Sequence, residues 1–213
     1  MQLIAALSPR ATGCARRVRG FTLIELAVAI TLLGILIGLG LPSFMSWIRN
    51  SQVRSVAESL QNGIRRAQTE AVRLNQTVVF SLTNVAPGLN APAVANGSNW
   101  SIQSIQQFAD PTRPPVFLTG GSLTDVASSM SITGPVALCF NTNGRLIVPA
   151  VPTGVPGAVC TAGKQQFDIK RAATIDTTTD RQLRVLVAVG GQVHMCDLGR
   201  PTLSDASPDG CPP

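Results

Sequence analysis

Histidine is nearly absent: the 213 residues include one, His194. A zinc site of the finger type therefore has no ligand set, and none of the five cysteines forms a C-x-x-C pair. A serine-type triad would have to use His194, with Asp197 as the candidate acid. A histidine at the surface or half-buried in a strand is the plainer reading. No H-E-x-x-H, G-x-S-x-G, Walker A or G-x-G-x-x-G motif is present. The sequence thus carries no catalytic signature and calls for no cofactor and no metal.

Charge is scarce as well. Charged residues make up 13% of the chain, where about 25% is usual for a soluble domain. The deficit has a local cause. Residues 21–41 read FTLIELAVAITLLGILIGLGL and hold one charged residue, Glu25. Before this block acidic residues are missing altogether, while Arg10, Arg16, Arg17 and Arg19 lie there. The formal net charge of +6 comes from 17 basic and 11 acidic residues. Without those four arginines 13 basic residues face 11 acidic ones, a net of +2. A surplus concentrated at one end is a weak argument for a nucleic-acid partner.

The apolar block is long enough to matter. Its 21 residues at about 1.5 Å each reach about 31 Å, the thickness of a bilayer's hydrocarbon core. Arg16, Arg17 and Arg19 precede it, so the positive-inside rule keeps that end in the cytoplasm and sends the rest outward. A cleaved secretory signal would be shorter and would end in a small-x-small site; Pro42-Ser43-Phe44 is a poor one. Neither that reading nor a plain anchor explains Glu25. A carboxylate in a membrane helix costs about 2.5–3.5 kcal/mol and is usually functional. No Lys or Arg in the block pairs with it. A cut between Gly20 and Phe21 would create an α-amine one helical turn before Glu25. The amine of one subunit would then neutralise Glu25 of its neighbour, which predicts self-assembly.

Helical periodicity continues past Pro42, where one lost hydrogen bond predicts a kink. Val53, Val56, Leu60, Ile64, Ala67, Ala71 and Leu74 form one stripe at spacings of three and four. Arg54, Glu58, Arg65, Arg66, Glu70 and Arg73 fall on other faces and read as a solvated surface. After Gln76 the period becomes two, in Val78-x-Phe80-x-Leu82, in Trp100-x-Ile102 and in Val136-x-Leu138-x-Phe140. Asn143-Gly144 before Arg145–Val148, and Gly190-Gly191 between Leu183–Val189 and Gln192–Met195, predict two hairpins. Residues 83–99 and 149–163 read as loops. The implied fold is α+β: one long helix, membrane-spanning in its first half and amphipathic in its second, packed on an antiparallel sheet. Cys14 precedes the block; Cys139, Cys160, Cys196 and Cys211 lie in the C-terminal half, and an even set in an exported domain reads as two disulfides. Of three connectivities, Cys139–Cys160 with Cys196–Cys211 is favoured, because each closes a short Pro/Gly-rich segment.

Gly20-Phe21-Thr22-Leu23-Ile24-Glu25 resembles the processing motif of type IV pilins and type II secretion pseudopilins. The resemblance implies cleavage after Gly20 by a prepilin peptidase and N-methylation of Phe21. Glu25 would be the fifth mature residue and Pro42 the twenty-second, where many pilins kink. Leu60 to Val79, with Arg-Ala-x-x-Glu-Ala at 66–71, resembles the GspH/FimT branch of minor pilins and pseudopilins, as do Trp100, Asn143-Gly144-Arg145 and the Val-Gly-Gly-Gln-Val turn. That branch implies a low-abundance subunit at or near a filament tip that helps start assembly, with other pilins, the prepilin peptidase and the inner membrane as partners. The implied organisation is a cleaved leader at 1–20, a transmembrane and filament-core helix at 21–48, and a periplasmic pilin-like domain at 49–213. Two rivals stand beside it. Some FimT-like minor pilins capture DNA through a Gly-Arg-x-Arg motif; Gly199-Arg200-Pro201-Thr202 lacks the second Arg, and Asp197, Asp205 and Asp209 surround it. Phosphate contact wants clustered positive charge, so Arg200 reads better as part of a loop. An anchored binding protein that does not assemble is the other, and under it Glu25 would be dispensable.

Overall fold

The computed structural model describes residues 20–105, 114–123, 129–172, 180–205 and 207–212. The basic leader and Cys14 lie outside them. The chain divides into two compact units, one ending at Ser43 and one beginning at Phe44.

Helix α1 runs over Leu23–Leu74, and its assignment is unbroken through position 42. Both ends have local causes. At the start the Thr22 hydroxyl accepts the Glu25 backbone N–H at 3.3 Å, an N-cap bond. At the finish Asn75 adopts a left-handed φ of 52°. The Gln76 N–H then reaches the Ala71 carbonyl and the Asn75 N–H the Val72 carbonyl, both at 3.2 Å. These are the two bonds of a Schellman motif, and they stop the helix three residues short of β1 at Val78.

Among the described residues eight strands follow: β1 Val78–Thr83, β2 Asn99–Ser104, β3 Phe117–Ser122, β4 Met130–Thr133, β5 Ala137–Phe140, β6 Gln165–Arg171, β7 Leu183–Val187 and β8 Val193–Asp197. They form two four-stranded sheets rather than the single one implied by the sequence, in orders β3-β2-β1-β5 and β4-β6-β7-β8. Every paired neighbour is antiparallel. The stripe of α1 serves both. Val53, Val56, Leu60, Ile64, Ala67 and Ala71 are buried in one core with Phe80, Ile102 and Phe140 of the first sheet and Phe167, Val185 and Val187 of the second. Each of the larger side chains, from valine to phenylalanine, contributes about 1.5–3 kcal/mol by leaving water.

The strands depart from the alternating pattern for a physical reason. β1 is buried along its whole length because its outer face is also covered. Val79, Ala137 and Cys139 pack there against Ala93, Val155 and Cys160 of the long loops. The Ala93 N–H donates to the Pro156 carbonyl at 2.8 Å, joining those two loops.

The two turns differ in outcome. Gly190-Gly191 joins β7 to β8, with Val187 opposite Val193. At Asn143-Gly144 the turn closes through the Gly144 N–H on the Asn141 carbonyl at 2.8 Å, but Arg145–Val148 is not a strand. Leu146 makes one bridge to Phe140, and Pro149 next along the chain has no N–H to extend the ladder. β3, β4 and β6 have no counterpart in the sequence-based expectation.

Candidate functional site

The N-terminal motif comes first. Gly20 and Phe21 precede α1 and are exposed, Phe21 at 81%. Glu25 lies in the first turn of the helix. Thr22-Leu23-Ile24-Glu25 has the Thr-x-x-Glu order of a capping box. The threonine half is made; the carboxylate half is not, and among the described residues the Glu25 side chain has no hydrogen bond or ion pair. A negative charge in the first helical turn is favoured by the helix dipole, worth about 0.3–1 kcal/mol at an exposed site. That local term is smaller than the about 2.5–3.5 kcal/mol cost of a carboxylate in hydrocarbon. The helix dipole therefore offsets only part of that cost. Thr22 is the residue that sequence reasoning missed here, although its Thr-x-x-Glu spacing was available.

From Leu23 to Leu41 the helix exposes nearly every large apolar side chain, Leu26, Ile30, Leu33 and Ile37 among them. It is long and apolar enough to cross a membrane. A Cβ at Gly34, Gly38 or Gly40 would meet open space. Pro42 falls inside α1.

The globular unit holds the remaining singled-out residues. Cys139–Cys160 and Cys196–Cys211 are both disulfide-bonded, across 21 and 15 residues of chain. The first ties β5 to the loop over the outer face of its sheet. The second closes the C-terminal segment onto β8, and Gly210 pairs there with Asp197. Arg200 sits in that closed segment, half-exposed and 3.5 Å from Asp209. His194 is exposed on β8, while Asp197 is buried and accepts the Gly199 N–H at 2.9 Å. With the histidine outside and the acid engaged, the two form no acid–base pair. Among the described residues no cluster of His, Cys, Asp or Glu fits a metal ion.

The helix is fastened to the sheets by polar bonds as well as by its stripe. Gln68 donates to the Gly144 carbonyl at 3.0 Å. Gly191, at φ 89°, lies against the same spot: a Cβ there would overlap the Gly144 carbonyl oxygen and the Gln68 amide nitrogen. The two glycine turns, one from each sheet, thus converge on one helix side chain. The Leu146 N–H completes the junction on the Val189 carbonyl at 3.0 Å. Arg65, expected on a solvated face, donates to the Val193 carbonyl at 2.9 Å. Lower on the helix, Arg49 meets the buried Asp180 at 3.2 Å, and Arg171 meets its other oxygen at 3.4 Å. Across β6 and β7, Arg184 grips Asp168 through two bonds of 2.6 and 2.9 Å. That hydrogen bonding holds the Arg184 pKa above its ordinary value, against the opposing effect of burial.

The family model described as the type II transport protein GspH matches residues 56–191, more than half of the chain. The chain belongs to the GspH family. The prokaryotic N-terminal methylation motif matches residues 15–41, so both parts of the sequence reading fall within family models. Members of this family are structural filament subunits, and the chain is a minor pilin or pseudopilin. Among solved structures it is similar to the type IV minor pilin FimU of Pseudomonas aeruginosa, with 16% identity, a TM-score of 0.46, and 76% of this chain and 96% of that one covered. It is also similar to EpsH, a minor pseudopilin of the type 2 secretion system of Vibrio cholerae, with 9% identity, a TM-score of 0.45, and coverage of 70% and 99%. No curated protein matches the sequence.

Proposed function

We propose that the chain is a single-pass subunit of the bacterial inner membrane that enters a type IV pilus or type II secretion filament at or near its tip and helps to start assembly. In this reading prepilin peptidase cuts between Gly20 and Phe21, Phe21 is methylated, residues 21–48 form the filament core, and 49–213 form the periplasmic domain. The carrying observation is Glu25. It is capped through its backbone by Thr22, surrounded by exposed apolar side chains, and has no cation partner among the described residues. The new α-amine of a neighbouring subunit supplies one at the same depth. Pro42, within α1, supplies the helix bend that packing of neighbouring cores uses. The Arg200–Asp209 pair favours a closed loop over a DNA-reading tail.

Crosslinking in cells to the other pilins tests this. Wild type should crosslink and appear with a mass lacking residues 1–20. Glu25→Gln should be processed alike and lose most of its crosslinks. Absent crosslinks in the wild type would favour an anchored protein that does not assemble, and unchanged crosslinking of Glu25→Gln would overturn the role given to Glu25.

A further inference from the structure

The second sheet is apolar on part of its outer face, where a solvated face would be polar. Val185 and Val187 point into the core. Leu186 and Ala188 alternate with them and point the other way. Leu186 lies opposite His194 of β8, yet it is only 6% exposed. The C-terminal segment stands beside it, fastened to β8 by the Cys196–Cys211 disulfide and by the bridge from Asp197 to Gly210.

That cover is incomplete. Leu186 and Ala188 on one side, with Leu203, Pro208 and Pro212 on the other, line a recess of about 330 Å³. This is the lower end of the size range of small-ligand sites, which are likewise mostly apolar with a few polar groups. Here the polar side chains are Lys164 and His194, and no acid lines the recess. The acids on the neighbouring strands are engaged elsewhere: Asp168 by Arg184 and Asp197 by the Gly199 N–H. In the closed segment Asp209 is paired with Arg200, and Asp205 is not part of the lining. Among the described residues Lys164 and His194 have no hydrogen bond or ion pair. An apolar floor and two unmatched basic groups therefore share one small space.

We propose that this recess is a binding site for a small organic acid, a compact apolar body carrying one carboxylate. The body replaces water over Leu186, Ala188 and Leu203. The carboxylate is acceptor-only and takes a charge-assisted bond from the Lys164 ammonium, with the His194 imidazole N–H as a second donor. Neither half suffices alone. Lys164 and His194 are exposed and solvated, so a bare anion gains little from them. An uncharged hydrocarbon leaves them unmatched. A small space walled by a sheet and a disulfide-bonded segment suits a free acid better than the face of another protein. The inference concerns the globular unit alone and does not depend on filament assembly.

His194 is the chain's one histidine, so its imidazole gives an NMR signal that needs no assignment. The full chain, ¹³C-labelled at histidine and held in detergent micelles at fixed pH and ionic strength, is titrated with hexanoate, with 1-hexanol and with acetate. Hexanoate should move the His194 signal saturably in the millimolar range. Hexanol and acetate should each need at least about tenfold more, because each lacks one half of the ligand. Lys164→Gln, an exposed change, should keep the spectrum's dispersion, weaken hexanoate about tenfold and leave hexanol as it was, the equivalent of one charge-assisted bond. No saturable response to hexanoate, an equal response to acetate or to hexanol, or an unchanged hexanoate affinity in Lys164→Gln would each overturn the proposal.

Discussion

The two halves of α1 solve the same problem with different partners. Leu60 and Ile64 are fully buried by strands of their own chain, while Leu33 and Ile37 are at least half exposed. Both halves are apolar and helical. What differs is where the water-excluding surface comes from. The second half carries a narrow stripe with arginines and glutamates around it, because a folded sheet covers one side only. The first half is apolar on all sides, as suits lipid or packed neighbours. An acid in the second half finds its base within a turn, as Glu58 does with Arg54 and Glu70 with Arg73. The one acid in the first half has none among the described residues. A helix can thus record, in the width of its apolar face and the pairing of its charges, which surfaces its own chain will supply.

The contrast is broken most strongly by shaving one leucine from each half. Leu60→Ala should cost the globular unit about 2–5 kcal/mol through the cavity left in its core. Leu33→Ala should leave that unit's stability unchanged; urea unfolding followed by near-ultraviolet circular dichroism reads both. Next comes the C-terminal staple. Replacing Cys196 and Cys211 by serine should cost about 3 kcal/mol on the chain-entropy account for a loop of 15 residues, measured by the same unfolding curve. Gln68→Ala removes the side chain on which the two glycine turns converge and leaves the Gly144 carbonyl without its helix donor, so about 1–2 kcal/mol should be lost. Amide exchange at Gly144 and Gly191 should rise with it. Arg54→Ala, at an exposed pair, should change stability by less than about 1 kcal/mol.

Much of this was legible in the sequence. The spacing of Val53, Val56, Leu60 and Ile64 announces the buried stripe, and alternation in Val78, Phe80 and Leu82 announces β1. The GspH resemblance was carried by Leu60 to Val79 with its Arg66-Ala67 core, and the pilin processing motif by Gly20–Glu25. The rest was hidden for definable reasons. β6 offers only Phe167 and Ile169 as alternating apolar residues, too short a run to separate from a loop. β3 contains Gly120-Gly121, a pair that ordinarily marks a turn, although Gly121 makes room for Trp100. Two sheets rather than one is a matter of pairing partners, which periodicity does not encode. The role of Arg65 was missed because its acceptor is a backbone carbonyl, and backbone atoms are identical at every position. Asp180 is recognisable only after folding, when Arg49 from the helix and Arg171 from β6 arrive on its two oxygens.

The central claim is that the first half of the helix is completed by neighbouring subunits through Glu25. One variant measured two ways tests it most directly: Glu25→Gln, assayed for incorporation into filaments and for the thermal midpoint of the globular unit. The account predicts that incorporation collapses while the midpoint stays at the wild-type value. Normal incorporation, or a midpoint that falls together with incorporation, would contradict it.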